Sequence, residues 1–502
     1  MIPFPSFSDF FRALWSHDPF PWQRMLAERL VEGEWPQALV LPTAAGKTAG
    51  IDIAIHVLAA QADKPVWQRT APRRVWFVVD RRIVVDEAFE RAREIAEKLR
   101  EAKDGPLKFV ADRLRDISGT ERPLAVARLR GGVLRDDGWA RLPSQPAVIT
   151  STVDQLGARL LFRGYGRSSL TAPIFAGLAA HDSLILLDEA HLSVPFMQTL
   201  RAVDRYRGAD WAEQPIRTPF AFSILSATPP ADVPEAAVFP GANRDVALDH
   251  LELERRTHAS KPAELISVKP GRSPDKDAFV EEAVKQAGSF VMDDKRRRMA
   301  VIVNRVFTAE SIAKLIQTQH GGEMDVVLLT GRLRPFERDR LVARWKPFLK
   351  AGQPNEPERP VVLVTTQCIE VGADFSFDAL VTEAASLDAL RQRFGRLNRL
   401  GRWSAGFLVY KGSPLDAAVE AMSRSATRER PDRPAALMAA KTRPYMRAAS
   451  MSNGSASQVA AAHCSRSWRR ARSLASRVVW GPAASSARVN GGDGGFGRPG
   501  AF

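Results

Sequence analysis

Residues 183–191 read Ser-Leu-Ile-Leu-Leu-Asp-Glu-Ala-His. The apolar run predicts a buried strand, and Asp188 and Glu189 stand where that strand ends. Two adjacent carboxylates repel each other unless a cation or protonation relieves them. We therefore expect Asp188 to hold a magnesium ion, Glu189 to activate a water molecule, and His191 to link the reaction to a facing domain. An exposed helix start is the alternative, which the preceding buried strand disfavours.

A phosphate-loop candidate precedes this strand at residues 41–48, Leu-Pro-Thr-Ala-Ala-Gly-Lys-Thr. The glycine lets the backbone turn closely under phosphates, the lysine supplies a charge for their β and γ oxygens, and the last threonine offers a hydroxyl to magnesium. Leu41 stands where the strict pattern has its first glycine, so a chance Gly-Lys-Thr is the alternative. The loop residues predicted to bind ATP are Thr43, Ala44, Ala45, Gly46, Lys47 and Thr48, with Thr48 also a magnesium ligand.

Short apolar runs alternate with helical patterns along the chain, which is typical of α/β structure with parallel sheets. The runs lie at residues 37–41, 74–79, 147–150, 184–187 and 222–225, and again at 299–303, 325–329, 361–364 and 379–381. We predict an ATP-binding domain at residues 1–255, a linker at 256–276, a second domain at 277–422 and a basic low-complexity tail at 423–502. A disordered tail is expected, and a truncated or frame-shifted end is an alternative for it.

The composition is that of an ordinary globular protein, with 45% of the 502 residues apolar and 26% charged. The two cysteines, Cys368 and Cys464, exclude a disulfide framework and a four-cysteine zinc site, and they fit a reducing cytoplasm. No apolar run approaches the roughly 20 residues that span a bilayer. Residues 423–502 carry +11 of the net charge of +15, since 14 Lys and Arg stand against three Asp and Glu there. Global charge therefore does not establish a nucleic-acid surface on the body.

A third element lies at residues 392–402, Gln-Arg-Phe-Gly-Arg-Leu-Asn-Arg-Leu-Gly-Arg. Arginines three apart on a helix share one face, so Arg396 and Arg399 could both point at a triphosphate held by the other domain. We interpret them as arginine fingers, which stabilise charge in the transition state, and we group Gln392 with them. A solvated basic helix is the alternative.

These three elements, in this order and with Ser-Ala-Thr at residues 226–228, resemble a superfamily 2 helicase of the DEAH/DExH kind over residues 20–402. The resemblance implies two tandem RecA-like domains, with Ser226 and Thr228 coupling nucleotide state to strand movement. Residues 365–374 look like the motif that touches both ATP and the strand, which implies that Gly372 and Asp374 face the nucleotide.

The same resemblance suggests how base and strand are bound. Residues 20–23, Phe-Pro-Trp-Gln, resemble the adenine-reading glutamine motif, which implies that Gln23 pairs with the base. Contacts to nucleic-acid phosphates need hydroxyls, amides and guanidinium groups. The residues implied for this role are Arg81, Arg82, Gly131, Thr152, Gln155, Thr330, Gly331 and Thr365.

A closer likeness rests on residues 20–23, 78–82, 129–132, 152–155, 162–166, 187–192 and 393–399. These stretches look like the CRISPR-associated helicase-nuclease of type I systems, the Cas-three family, especially its subtype I-G (formerly I-U) branch. The likeness implies a protein that uses ATP and Mg²⁺ to move 3′ to 5′ along the displaced target strand as single-stranded DNA. It also implies recruitment by a Cascade-type surveillance complex.

The family's histidine-aspartate nuclease domain is the point of departure. Such a site needs several histidines and aspartates around one or two metals. His-Asp pairs occur in this sequence only at residues 17–18 and 181–182. We therefore expect a helicase portion without its own nuclease, with a separate nuclease chain as an additional partner.

Two other functions remain open on the sequence. A helicase subunit of a restriction or repair system would share every ATP residue and differ in its partners. An ATPase-idle scaffold that binds nucleic acid or Cascade is the alternative from another class. The presence of Lys47, Asp188, Glu189, Arg396 and Arg399 favours an active enzyme. A switch GTPase is disfavoured because the site draws on two domains and Gln23 suits adenine.

Overall fold

The computed structural model describes residues 3–411, except for residues 43, 81, 132–136, 167, 190–192, 228–231, 260, 262, 267–277, 292–295, 353–354, 370–373 and 402–406. Two parallel sheets with helices packed against them make up this part of the chain. The predicted α/β class is therefore confirmed, whereas the predicted tail lies outside the described residues. Within the described part, no helix has both the length and the apolarity needed to cross a membrane.

The first sheet is built from the first half of the chain. Its strands are β1 (Ala38–Val40), β2 (Arg74–Val79), β3 (Ala125–Leu129), β4 (Ala147–Thr152), β5 (Ser183–Asp188), β6 (Phe220–Ser226) and β7 (Val238–Phe239). The helices of this half are α1 (Phe7–Trp15), α2 (Pro21–Leu30), α3 (Gly50–Ala60), α4 (Arg82–Glu101), α5 (Gly105–Ser118), α6 (Gly138–Arg141), α7 (Val153–Leu160), α8 (Ala172–Ala180), α9 (Val194–Arg207), α10 (Arg244–Leu248) and α11 (Leu251–His258). The strands lie in the order β3-β4-β2-β5-β6-β1-β7, and every pair is parallel. Their carboxyl ends therefore meet at one edge, where ligands of such sheets bind.

The second sheet has six strands, also all parallel. Its strands are β8 (Ala263–Ile266), β9 (Arg298–Ile302), β10 (Asp325–Leu329), β11 (Val361–Thr365), β12 (Ala379–Thr382) and β13 (Phe407–Lys411), in the order β10-β11-β9-β12-β13-β8. Its helices are α12 (Ala278–Val291), α13 (Val306–His320), α14 (Pro335–Leu349) and α15 (Leu387–Phe394).

The edge strand β8 falls inside the stretch that the sequence predicts to be a linker. Four residues between polar neighbours give no clear periodicity. The strand is defined by its pairing with β13, which lies about 140 residues further along the chain. The stretch 256–276 therefore contains one strand of the second sheet, and the domain bounds stay a prediction.

Both faces of the first sheet are covered, as expected for a parallel sheet. Trp76 and Phe77 are neighbours on β2, yet they belong to different apolar cores because successive side chains point to opposite faces. Both are almost fully buried. The two cores hold the central strands rigidly, and these strands carry the predicted ATP-binding residues at their ends.

A buried carboxylate ties the amino-terminal helix to this core. Asp52 on α3 is fully buried and accepts hydrogen bonds from the Trp15 indole at 2.6 Å and from two Arg91 nitrogens at 2.8 Å. The Arg91 guanidinium also lies 4.2 Å from the Trp15 ring centroid. Since α3 directly follows the predicted phosphate loop, this network fixes the helix behind that loop.

Asp52→Ala should destabilise the protein strongly because it leaves the Arg91 charge and the Trp15 N–H without their buried partner. Breaking a buried ion pair in this way typically costs about 3–5 kcal/mol. We expect a lower denaturation midpoint in urea, followed by circular dichroism. Glu101→Ala on exposed α4 surface is the matched control and should stay within about 0.5 kcal/mol of the parent. Equal midpoints for the two variants would contradict this account.

Candidate functional site

The central strands of the first sheet bring the phosphate loop and the carboxylate pair to one edge. Strand β6 lies between β5 and β1, and Asp188 pairs with Leu225 in the β5–β6 register. Leu41 donates its backbone N–H to the Ser226 carbonyl at 3.0 Å, and Glu189 donates to the Leu225 carbonyl at 3.1 Å. The phosphate loop and the carboxylate pair, which are far apart in sequence, thus lie at the same edge of the sheet.

The phosphate loop has the backbone that its sequence suggests. Gly46 has φ +77°, a left-handed conformation that glycine adopts without strain, and a Cβ there would lie 3.2 Å from the Gln23 amide nitrogen. Ala44 has φ +64°, which is uncommon for a residue with a side chain. Lys47 begins a short 3₁₀ turn and donates to the Leu41 carbonyl at 3.5 Å. The ammonium group therefore lies inside the curve of the loop.

Gln23 supports the loop from α2. Its side-chain oxygen accepts the Phe20 backbone N–H at 2.9 Å, and its nitrogen donates to the Gly46 carbonyl at 3.4 Å. The neighbouring Trp22 indole donates to the Ala45 carbonyl at 2.9 Å. Gln23 is only 3% exposed. Its observed role is to hold the phosphate loop, and pairing with adenine stays a prediction.

The two carboxylates differ in their surroundings. The Glu189 backbone N–H donates to the Asp188 carboxylate at 3.1 Å, and Glu189 itself has φ +53°. Burial raises the pKa of Asp188 to about 6; the nearby Lys47 opposes this rise and Glu189 adds to it. A carboxyl group in this state lacks full charge compensation, and a divalent cation would supply it.

The donor set at this edge fits magnesium. A carboxylate at Asp188 and a hydroxyl at Thr48 are hard oxygen ligands, and Mg²⁺ is commonly held by one or two protein ligands together with phosphates and water. Among the described residues there is no group of three or more His, Cys, Asp or Glu side chains arranged to hold a metal. Nothing here resembles a cage for a permanently bound ion.

The predicted arginine fingers approach this site from the second sheet. They follow α15, and Arg396 is 5% exposed. Burial and the nearby Arg399 lower the pKa of Arg396 to about 9, while Glu87, Asp374 and Glu189 oppose the shift. The Arg399 guanidinium pairs with the Asp374 carboxylate at 2.9 Å. The structure therefore gathers both arginines and Asp374 near Glu189 of the first domain.

Arg393 in the same segment has a structural role that the sequence did not reveal. It is fully buried and donates three hydrogen bonds of 2.8 Å, to the Thr382 hydroxyl, the Glu383 carbonyl and the Asn304 side chain. These partners lie at or just after the ends of β12 and β9. Arg393 thus anchors α15 to the second sheet and fixes the start of the segment that carries Arg396 and Arg399. Gln392, the residue before it, is half-buried.

The predicted nucleic-acid residues lie near the strand ends of both sheets, but their exposure differs. Thr365 is fully buried and its hydroxyl donates to the Thr366 carbonyl at 3.2 Å, so its side chain is not available at the surface. Gln155 accepts from the Arg159 guanidinium at 3.0 Å. Arg82 packs over Gly131, where a Cβ would lie 3.0 Å from a guanidinium nitrogen. Thr152 and Thr330 are mostly buried, whereas Gly331 is exposed.

Several predicted residues lie outside the described residues: Thr43, Arg81, His191, Thr228 and Gly372. Their proposed roles stay predictions. Ser226, which was predicted to share a coupling role with Thr228, ends β6 and is mostly buried.

Three functional candidates were missed because no local pattern marks them. Arg256 on α11 donates to the Ala44 carbonyl of the phosphate loop at 2.9 Å. Lys261 donates to the Phe394 carbonyl at the end of α15 at 2.9 Å, and burial, with Arg399 and Arg396 nearby, lowers its pKa to about 8. Glu87 on α4 contacts the second domain. The polar stretch around Arg256 and Lys261 is therefore in contact with both halves of the site.

Comparison with known proteins shows similarity to one family of helicases. Residues 295–402 match the family model described as CRISPR-associated nuclease/helicase Cas3, C-terminal. The CRISPR-associated nuclease/helicase Cas3 of Methanothermobacter thermautotrophicus is 24% identical over 384 residues, which are 76% of this chain and 40% of that protein. This chain thus spans well under half the length of that relative.

Solved structures show the same fold. The T. fusca Cas3-ADP crystal structure matches with a TM-score of 0.54 and 16% identity, over 83% of this chain and 48% of that one. The Mycobacterium smegmatis helicase Lhr matches with a TM-score of 0.51 and 16% identity, over 84% of this chain and 50% of that one. The predicted RecA-like fold is confirmed, as is the resemblance to the Cas-three family, while the subtype stays a prediction. The family model and the curated relative make this chain similar to Cas3 helicases, and the solved structures show the shared fold.

Proposed function

We propose that the chain is an ATP-dependent DNA helicase or translocase of type I CRISPR interference. The observation that carries this proposal is a single site with contributions from both sheets. Asp188 and Glu189 come from the first sheet, while Arg396 and Arg399 come from the second and meet them. Such a site can sense whether a triphosphate joins the two domains, which is what a motor requires.

The residues divide the work of hydrolysis among them. The loop backbone and Lys47 bind the β and γ phosphates, and Asp188 and Thr48 hold Mg²⁺, which supplies charge neutralisation when bound. Glu189 orients the attacking water and accepts its proton. Arg396 and Arg399 stabilise the negative charge that develops on the transferred group. Nucleotide-bound structures of T. fusca Cas3, with ADP, AMPPNP and ATP, support this choice of ligand.

We propose the partners from the same resemblance. The related Lhr structure contains single-stranded DNA, whereas the similar DEAD-box helicase Mss116 contains single-stranded RNA. We propose the displaced target strand as the track, with 3′ to 5′ movement and recruitment by a Cascade-type complex. The chain would act in the cytoplasm, and a separate nuclease would complete the cut.

ATP hydrolysis with and without single-stranded DNA tests the motor directly. We expect strong stimulation by DNA and weaker stimulation by RNA of the same sequence. Glu189→Gln should lower turnover about 10²–10⁴-fold, the usual contribution of general base catalysis. Lys47→Ala should abolish turnover, while Lys64→Ala at an exposed position is the matched control. Turnover that DNA does not change, or that persists in Lys47→Ala, would sink the motor assignment.

Arg399→Ala should slow hydrolysis far more than it weakens nucleotide binding, because a finger acts mainly in the transition state. We expect kcat to fall about 10³-fold or more, the range known for arginine fingers. A fluorescent nucleotide titration should give a Kd within about ten-fold of the parent. Arg334→Ala is the control, because the Arg334 side chain is 85% exposed. Parallel losses in kcat and affinity would contradict the finger role.

We also propose that the chain has no nuclease of its own. Both His-Asp pairs are engaged by neighbours: Arg12 holds Asp18 through its guanidinium group, and Arg73 donates its backbone N–H to Asp182 at 2.8 Å. The His181 ring contacts Arg207 at 3.1 Å. Purified protein should therefore leave single-stranded DNA intact with Mn²⁺, Ni²⁺ or Co²⁺, as followed on a denaturing gel. Metal-dependent cutting that copurifies with ATP turnover would refute this proposal.

A further inference from the structure

Glu87 connects the first domain to Asp374 of the second. It lies in the second turn of α4, a helix packed on β2, β3 and β4. Its carboxylate accepts the backbone N–H of Asp374 at 3.0 Å. Carboxylates that accept buried backbone N–H groups form strong, charge-assisted hydrogen bonds. This bond therefore fixes the position of Asp374 relative to the first sheet.

Asp374 in turn holds Arg399 in position. Its carboxylate pairs with Arg399 at 2.9 Å, and the Arg399 backbone N–H donates to the Ser376 hydroxyl at 3.2 Å. The Asp374 carbonyl oxygen accepts the Ala351 N–H at 2.7 Å, which ties Asp374 to the end of α14. A continuous set of contacts thus runs from Glu87 through Asp374 to Arg399.

The charged groups around Glu87 include Arg396, the other predicted arginine finger. Asp374, Lys346 on α14 and Arg396 face the Glu87 carboxyl group. Burial raises the pKa of Glu87 to about 7; the Asp374 N–H, Lys346 and Arg396 oppose this rise, and the Asp374 carboxylate adds to it. Both protonation states are therefore populated near neutral pH. The ionised state attracts Arg396 and accepts the Asp374 N–H more strongly.

We propose that Glu87 is a positioning residue, which reaches from the first domain to align Asp374 and the two arginine fingers with the nucleotide site. This role rests on the proposed ATP hydrolysis. Glu87 does not touch the reacting atoms; it acts through Asp374 and Arg396. The neighbouring Asp86 does not share this role, since its carboxylate accepts from Arg128 and Arg130 at 3.0 and 2.6 Å.

A second contact between the domains provides the matched control. Arg130 binds Asp86 and also reaches Asp339 on α14 at 3.3 Å. Asp339→Ala removes this contact without touching Asp374. If Glu87 acted only by holding the domains together, Asp339→Ala would reproduce the effect of a Glu87 variant. Specific positioning predicts that it does not.

Glu87→Ala and Glu87→Gln separate the hydrogen bond from the charge. Glu87→Ala removes the acceptor, and we expect kcat for ATP to fall about ten-fold, in keeping with the loss of one charge-assisted hydrogen bond. Nucleotide Kd should stay within about two-fold. Glu87→Gln keeps an acceptor oxygen without the charge, so its kcat should lie between those of Glu87→Ala and the ionised parent, at the level that the parent shows below pH 7. In the parent, kcat should rise as pH increases through about 7, and this rise should be absent in Glu87→Gln.

A measurement without nucleotide keeps this role apart from the proposed activity. Hydrogen exchange of the peptide containing Asp374 should be faster in Glu87→Ala than in the parent, and unchanged in Glu87→Gln and Glu101→Ala. An unchanged kcat in Glu87→Ala, with normal parent turnover, overturns the positioning role alone. Absence of turnover in the parent overturns the proposed function, and exchange unaffected by Glu87→Ala then overturns the contact itself.

Discussion

The parallel order of β5, β6 and β1 is the constraint on which the site depends. In a parallel sheet all carboxyl ends face one edge, so a loop that follows β1 and a carboxylate pair that ends β5 must emerge together. The apolar cores on both faces keep these strands in place. Lys47 is far in sequence from Asp188 and Glu189. The three residues nevertheless lie close together, because the sheet places the ends of β1 and β5 at one edge.

Charge balance between the two domains is the second organising feature. Arg396 is buried, which disfavours its charge, and carboxylates from both domains compensate for it. Glu87 and Glu189 belong to the first domain, whereas Asp374 belongs to the second. A bound triphosphate would bring further negative charge to the same arginines. In the proposed function, nucleotide binding and domain contact would depend on the same few groups, which gives a physical basis for coupling hydrolysis to movement.

Local patterns predicted the parts of the site that a single strand-loop unit encodes. The apolar run before Asp188 and the glycine before Lys47 are visible in a few residues each, and their structures follow from burial and backbone geometry. Gln23 was predicted from resemblance, but its partners proved to be Phe20 and the phosphate loop. Thr365 was predicted to contact nucleic acid, and its side chain is fully buried in this structure. Short motifs identify residue types; they do not give the direction or exposure of a side chain.

By itself, the sequence determined the α/β class, the position of the phosphate loop, the carboxylate pair and the arginine segment, because each depends on local periodicity and turn chemistry. Tertiary structure decided what those groups contact. The buried anchor at Arg393, the link from Lys261 to Phe394 and the contact of Glu87 with Asp374 join residues that lie between about ten and nearly 300 positions apart. No local pattern records such contacts, since they form only when the chain brings distant residues together, within the second sheet for Arg393 and between the two sheets for Glu87.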